Sequence, residues 1–419
     1  MKALLFERSL PRYGAARVAS SVAPGHSARL GPLHLTDVAE PALPGPDWRR
    51  VSPLLAGICG SDLATVEGHS SRYFEPIVSF PFVPGHEVVG ELADGGADDG
   101  ARVVIEPVLG CTARGIDPLC GACAAGHTGN CERVAYGHLK PGLQTGFCSD
   151  TGGGWSSSLV AHRSQIHLVP ESMPDEEAVM VEPTACGIHA ALAAVAGPHA
   201  PAGAGSSAAV GDLSRATVAV IGAGTLGLTV IAALRRFLPP GLLLAGAKHP
   251  EQRRLAAALG ADQVLDPESL VRGVRRHTRS LANGAGLTGG ADVVIDCVGN
   301  AESIDSALPM VRPKGRVVLA GMPGTVKLDL TSLWNREVSL AGAYAYGVET
   351  VPGRAPARTF DLAFELVTEA GLGRLVGARY PLDRFPEAIA HASAAGRRGT
   401  VKVVFDLRPA SRRPTWRSA

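Results

Sequence analysis

The chain has no apolar run near the ~20 residues that a membrane-spanning helix needs. Its opening, MKALLFERSLPRYG, lacks the uninterrupted apolar core of a secretion signal, because Glu7 and Arg8 break the patch. A cytoplasmic location is the expectation. Excess charge of either sign is missing too: 40 Lys and Arg face 39 Asp and Glu, a net +1. That balance supplies no overall attraction to nucleic acid or an anionic membrane, so the expected partners are small molecules. Charged residues are scarce, 19 % against 46 % hydrophobic, which is unlike a disordered chain. Internal repeats are absent, and 419 residues at a prior of roughly 150 per domain point to two domains. Eight cysteines are too few for a disulfide scaffold in so long a chain, and in a reducing compartment clustered thiols more often bind metal.

Half of the cysteines do cluster. Cys111, Cys120, Cys123 and Cys131 share the glycine-rich segment CTARGIDPLCGACAAGHTGNC. Cys120 and Cys123 form a C-x2-C pair whose thiolates can turn inward from one tight loop, and Cys131 and Cys111 can complete a four-sulfur tetrahedron suited to zinc. Such a shell is closed to substrate, so the expected role is structural. Four unrelated free thiols are the plainer reading, but the surrounding Gly, Asp and Pro leave no strand or helix to bury them in.

A second group is spread wider. Cys59 in GICGSDLATVEGH, His86 and Glu87 in PGHEVVG, and Glu182 in VEPTACG combine a soft thiolate, a neutral nitrogen and two carboxylates, a mixed zinc shell with room for substrate. Asp62, three residues past Cys59, is placed to accept a hydrogen bond from the distal imidazole nitrogen of His86. Taken singly these residues have ordinary roles: a buried small hydrophobe, a turn histidine, an acid at a helix start.

The third motif runs an apolar strand, Val218 to Ile221, into Gly222-x-Gly224-x-x-Gly227 and an apolar helix. Gly222 permits the tight turn, Gly224 lets backbone N–H groups approach a pyrophosphate, and Gly227 lets the helix pack closely with its N-terminus toward the phosphates. Thr225 and Leu226 inside this loop, with Cys297, Val298 and Gly299 of ADVVIDCVG, join the candidate cofactor-binding residues. Alternating apolar strands and amphipathic helices follow, which implies a parallel sheet covered on both faces. An acidic residue commonly lies about 20 residues past the glycine loop in NAD-binding folds, where it holds the ribose hydroxyls. Here Ala247 stands there, no Asp or Glu occurs between Leu242 and Pro250, and Lys248, His249 and Arg253 follow. The segment reads as a 2′-phosphate site, favouring NADP with NAD as the alternative.

GICGSD, PGHE, CGACAAGHTGNC, VEPTACGIHA, VIGAGTLG and DCVG occur in the order found in the zinc-containing medium-chain dehydrogenase/reductase superfamily, which the chain resembles from Lys2 to about Asp406. Within it, the sequence looks more like the polyol and threonine dehydrogenase branches than the liver type of alcohol dehydrogenase. The resemblance implies an α/β protein: a GroES-like β-rich catalytic domain split around a Rossmann doubly wound parallel-sheet domain, with the active site in the cleft between them. It also implies a homo-oligomer, a dimer or tetramer, and a catalytic zinc on Cys59, His86 and Glu182 with Glu87 as an exchangeable ligand. The expected reaction is hydride transfer between a nicotinamide and an alcohol or ketone, with Ser61 as first hydroxyl of a proton relay.

The chain departs from the family in two places. At the first structural-cysteine position stands Asp117, with Cys111 six residues earlier, so either Cys111 reaches the metal from a lengthened loop or Asp117 supplies an oxygen. The relay histidine position holds Ala64; His69 is either a substitute or a plain loop histidine. The expected boundaries are a catalytic domain over 1–196, including a zinc lobe at about 107–133 and a bridging helix, a flexible linker at 197–214, the Rossmann domain at 215–344, a catalytic return at 345–406 and a basic tail at 407–419. Two other classes fit parts of the sequence: a zinc-stabilised nucleotide-binding protein without chemistry, and a zinc-independent enoyl or quinone reductase. The joint presence of Cys59, Ser61, His86 and Glu182 speaks against both.

Overall fold

Short strands rich in Val and Ile build the first of two units in the computed structural model, which describes residues 1–23, 25–96, 98–196, 212–282 and 286–412. This unit takes in Met1–Glu182 and the described chain from Gly371 onward. Its main sheet runs in the order Val376–Tyr380, Lys402–Asp406, Trp48–Gly57, Val88–Leu92, Arg102–Ile105, Ile166–Leu168, with Leu159–His162 also paired to Trp48–Gly57. Except for the parallel pair formed by the first two, the pairings are antiparallel. Trp48–Gly57 pairs with Val88–Leu92 so that Ala56 lies opposite Val88. That register brings the residues just past one strand and just before the other to the same end of the sheet.

The core beside this end packs Leu4, Phe6, Phe82, Trp155 and Phe405. Trp155 is fully buried and donates its indole N–H to the Gly57 carbonyl at 3.0 Å, so its apolar body and its polar tip are both satisfied. A helix at Leu10–Val22 lies between the paired strands Lys2–Phe6 and Leu33–Asp37 in chain order. Ser9 precedes it without a side-chain cap, and a proline sits in its first turn, where a missing N–H is tolerated.

The second unit, Pro183–Ala370, holds a parallel sheet in the order Gln263–Leu265, Leu242–Gly246, Thr217–Ile221, Ala291–Asp296, Val311–Leu319, Ser339–Gly342. In chain order this is 3-2-1-4-5-6, the Rossmann arrangement, whose ligand crevice falls where strands one and four part. Ile221, Leu244, Val294, Leu308 and Val317 pack in its core.

Three boundaries differ from the sequence reading. The second unit runs to Ala370 rather than Tyr344, because the helix Thr359–Ala370 is held to it by ion pairs from Glu365 and Glu369 to Arg236 and by Phe360 against Tyr346 at 5.0 Å. The first unit ends at Glu182, inside the helix Val181–Leu192, rather than at residue 196. The expected basic tail, 407–419, is anchored near its start: Arg408 is buried and pairs with Asp406 at 2.7 Å and with Asp175 and Glu176 at 3.2 Å each. Most of the expected linker, 197–211, and the last tail residues, 413–419, lie outside the described residues. No described helix is long and apolar enough to cross a membrane.

Candidate active site

Cys59 leaves the strand Trp48–Gly57 and caps the helix Gly60–Val66. Asp62, in that helix's first turn, accepts a hydrogen bond from the Cys59 backbone N–H at 3.0 Å, which fixes the turn that presents the thiol. The sheet register delivers His86 and Glu87 to the same place, and the Gly57 N–H donates to the Glu87 carbonyl at 2.8 Å. The ligand atoms of Cys59, His86 and Glu87 all lie within 4.8 Å of one another. The other oxygen of Asp62 faces Nδ1 of His86 at 3.5 Å, and neither of these buried atoms makes a standard hydrogen bond. Burial lowers the His86 pKa, but Asp62 and the Cys59 sulfur outweigh it and hold it well above its ordinary value. A buried site whose anions draw a proton onto histidine is one that suits a cation, and the soft-plus-nitrogen donor set is zinc's.

Glu182 is buried in the first turn of Val181–Leu192 but does not join the three residues within 4.8 Å. It acts on a residue that the sequence reading passed over. Lys402, on the strand Lys402–Asp406, is 2 % exposed; its ammonium forms an ion pair with Oε2 of Glu87 and donates to the Ile58 carbonyl at 3.2 Å. Burial lowers the Lys402 pKa, yet Glu87, Cys59 and Glu182 together raise it above the ordinary value. Gly57 makes room for this pair: a Cβ there would sit 1.8 Å from Glu87 Oε2 and 2.9 Å from the lysine stem. The only sequence signal was a lysine at the head of the apolar strand KVVFD. Ser61 is half-buried, and the His69 ring bonds Ser20 of the helix Leu10–Val22 at 2.9 Å.

Cys111, Cys120, Cys123 and Cys131 form a second group, all buried, with sulfurs within 4.8 Å of one another. Each sulfur accepts one backbone N–H: Cys111 from Cys120 at 3.4 Å, Cys120 from Cys123 at 3.5 Å, Cys123 from Cys111 at 3.5 Å, and Cys131 from Arg133 at 3.4 Å. Donors aimed at sulfur favour thiolates, the form that binds metal. Burial raises the Cys120 thiol's pKa, but the N–H groups around it prevail and bring it down to about 6, whereas at Cys123 and Cys131 burial prevails and raises the thiols. Cys111 and Cys131 sulfurs stand 3.7 Å apart, close to the ~3.8 Å edge of a tetrahedron with zinc–sulfur bonds of ~2.3 Å. Asp117 is exposed and outside the group, so of the two alternatives the fold brings in Cys111.

In the second unit, Gly222 has φ +89°, and a Cβ on Gly227 would lie 1.9 Å from the Gly222 carbonyl, so the helix Thr225–Phe237 packs directly on the turn. A Cβ on Gly224 would meet nothing within 4 Å, which leaves open space before the helix N-terminus. Thr225 and Leu226 open that helix half-buried. Next to it, Asp296 accepts the N–H groups of Val298 at 2.8 Å and Gly299 at 3.1 Å and the Ser303 hydroxyl at 2.8 Å, ordering the turn after Cys297. Sequence reading did not single out this carboxylate, although it stands in the quoted DCVG.

Beyond the second strand Ala247 is buried, Lys248 is exposed and His249 caps the helix Pro250–Ala258. Arg253 is already engaged: it donates to the carbonyls of Ala247 at 3.0 Å and Lys248 at 3.3 Å and pairs with Asp266. An acid absent from the local sequence window thus arrives from the end of the third strand.

A β-rich unit with a mixed ligand group and a thiol group, and a Rossmann unit with an open glycine loop, define a nicotinamide-type dehydrogenase. Residues 45–171 match the alcohol dehydrogenase GroES-like domain, and residues 226–359 match the zinc-binding dehydrogenase family. Among curated relatives, the chain is 27 % identical over 373 residues to a sorbitol dehydrogenase of Arabidopsis thaliana, covering 87 % of this chain and 89 % of that one. It is 28 % identical over 396 residues to an L-threonine 3-dehydrogenase of Pyrococcus horikoshii, covering 92 % and 97 %. Among solved structures, a protein of Sinorhizobium meliloti 1021 assigned as a zinc-binding dehydrogenase and bound to NADP has a TM-score of 0.65 at 25 % identity, covering 89 % and 96 %. Galactitol-1-phosphate dehydrogenase of Escherichia coli shares the fold at TM-score 0.67 and 21 % identity, covering 97 % and 100 %. The chain belongs to the zinc-containing medium-chain dehydrogenase/reductase superfamily, as an oxidoreductase of the alcohol dehydrogenase type.

Proposed function

We propose that this chain transfers hydride between a nicotinamide, NADP in preference to NAD, and an alcohol–ketone pair drawn from polyols, cyclitols or amino alcohols. The observation that carries the reading is the convergence of half-buried Cys59 with buried His86 and Glu87 in a chain that also holds the open Gly222–Gly227 loop. The sorbitol and L-threonine dehydrogenases among the relatives support the substrate class. Exposed Lys248, with no Asp or Glu in the sequence between Leu242 and Pro250, supports NADP, as does the NADP-bound relative.

Cys59 and His86, with Glu182 and Glu87 as carboxylate partners, are the residues that would hold a catalytic zinc; Cys111, Cys120, Cys123 and Cys131 would hold a structural one. When bound, the catalytic zinc supplies Lewis acidity, as when it lowers the pKa of water from ~15.7 to ~7, while the nicotinamide accepts hydride. Asp62 orients His86 by facing its Nδ1, which leaves Nε2 for the ion. Ser61, two residues past Cys59, is the first hydroxyl of a proton relay: it accepts the proton that leaves the substrate hydroxyl as it passes its own on towards solvent. The backbone N–H groups at the start of Thr225–Phe237 receive the pyrophosphate, while Cys297, Val298 and Gly299 line the neighbouring turn. Domain roles follow the two units, with residues 1–182 and the return from 371 carrying the metal sites. Assembly as a homo-oligomer in the cytoplasm completes the reading.

The test is a screen of polyols and amino alcohols with each cofactor, repeated on Cys59→Ala and Lys248→Ala. Cys59→Ala should lose on the order of 10³ or more in kcat while binding NADPH as before. Lys248→Ala should erode the NADP preference at unchanged kcat. Full turnover by Cys59→Ala would overturn the zinc reading; a preference for NAD untouched by Lys248→Ala would overturn the cofactor choice alone.

A further inference from the structure

The loop between Cys111 and Cys120 is longer than the family's spacing, and it carries an arginine that no catalytic or cofactor role uses. Arg114 is 0 % exposed. Its guanidinium donates to the carbonyls of Leu109 at 3.0 Å, Tyr136 at 2.9 Å, Leu139 at 3.3 Å, Lys140 at 3.3 Å and Gly142 at 2.5 Å. These lie on both flanks of the thiol group, just before Cys111 and just after Cys131. The backbone is held equally closely: the Arg114 N–H reaches the Gly110 and Cys111 carbonyls, its own carbonyl accepts from the His138 N–H at 3.3 Å, and a Cβ on Gly137 would lie 2.4 Å from that carbonyl.

Carbonyl dipoles satisfy the donors of a buried guanidinium but do not neutralise its charge. Burial lowers the Arg114 pKa, and it is opposed by the sulfurs of Cys148, Cys131 and Cys111 when they are thiolates and by the Asp150 carboxylate; without metal, burial holds the Cys148 and Cys131 thiols above their ordinary range. Four thiolates around a zinc ion carry a net charge of about −2. A buried cation without a counter-charge is expensive, and so is a buried dianion; side by side each relieves the other.

We propose that Arg114 is the positioning residue and internal counter-ion of the thiol lobe, so that metal retention by Cys111, Cys120, Cys123 and Cys131 and closure of residues 109–142 around Arg114 depend on each other. The proposal rests on the structural-zinc reading and adds to it a residue outside the ligand set. It also accounts for the lengthened loop: residues 112–116 turn back on Cys111, with the Ile116 N–H on the Cys111 carbonyl at 3.0 Å, and this turn both inserts Arg114 and aims the sulfur.

The experiment uses the full chain carrying Cys59→Ser, which removes the other thiolate site, alone and with Arg114→Met, Arg114→Lys or Cys123→Ser. Zinc remaining per chain is followed by elemental analysis during incubation with EDTA, and amide hydrogen exchange is read over residues 109–142. Arg114→Met should lose zinc at least about tenfold faster than its parent, with Arg114→Lys between them because lysine keeps the charge but not the fork. Loss at the parental rate would overturn the proposal. If the parent holds no zinc, or if Cys123→Ser leaves its zinc content unchanged, the structural-zinc reading fails and the proposal with it. Should Arg114→Met not fold, the parent still decides. On removal of zinc, amides of 109–116 and 136–142 should lose protection together with those of 120–131, and continued protection of the flanks would refute the dependence.

Discussion

At the scale of single residues, the chemistry turns on buried charges with few partners. Lys402 and Glu87 are 2 % and 1 % exposed and paired, so removing the lysine strands a carboxylate in the interior. Lys402→Met should therefore destabilise the protein by about 3 kcal/mol, the range for a broken buried pair, and Glu87→Gln added to it should restore at least half of the loss. Thermal unfolding of the two single variants and the double variant measures this coupling; simple additivity would rule it out. Cys120 and Cys123 were legible in the sequence because a C-x2-C pair carries its chemistry in its own spacing. Lys402 and Arg114 were not, because a cation in a strand or loop reads as solvated until the fold shows what covers it. Asp62 was legible through its proximity to Cys59, whereas the engagement of His69 by Ser20 needed a helix far away in the chain.

At the scale of elements, the site depends on two antiparallel strands keeping register. Arg49, on Trp48–Gly57, donates to Asp94, just beyond Val88–Leu92, through Nη2 at 2.8 Å and also through Nε. The guanidinium holds the Asp94 carboxyl down to about 2. A depressed carboxylate contributes stability that is present in full above its unfolded pKa of ~3.9 and is lost as pH falls through the folded value. Water reaches this pair, so screening trims its worth to about 1 kcal/mol. Asp94→Asn should thus lower stability by that amount at pH 7, with the gap to wild type narrowing between about pH 4 and pH 2. Denaturant unfolding across that range checks it, and a gap independent of pH would refute the linkage. The Rossmann strands were legible because buried parallel strands are short continuous apolar runs between glycine-rich turns. The allegiance of Thr359–Ala370 was not: an amphipathic pattern shows that a helix has an apolar face, not which surface receives it.

At the scale of the whole molecule, the reading requires two metal ions of unequal stubbornness. A closed thiolate shell exchanges more slowly than a mixed shell with an open position, so carefully purified protein should hold two zinc ions per chain and lose one of them first to a chelator. Elemental analysis through such a titration checks this; one zinc or none at the outset would count against it. Turnover should vanish with the first ion, and thermal stability should fall with the second. By itself the sequence determined the family, the parallel sheet, the glycine loop and the two groups of candidate ligands, since each is carried by short motifs whose own residues lie only a few positions apart. Only the tertiary structure decided that Cys111 and not Asp117 joins the thiols, that Lys402 sits on Glu87, that Asp266 meets Arg253 and that Arg408 is anchored on Asp175. The pairings of Lys402 with Glu87 and of Arg408 with Asp175 join segments remote in the chain. They depend on strand register and on which charges are carried out of water together, and neither is written in local spacing.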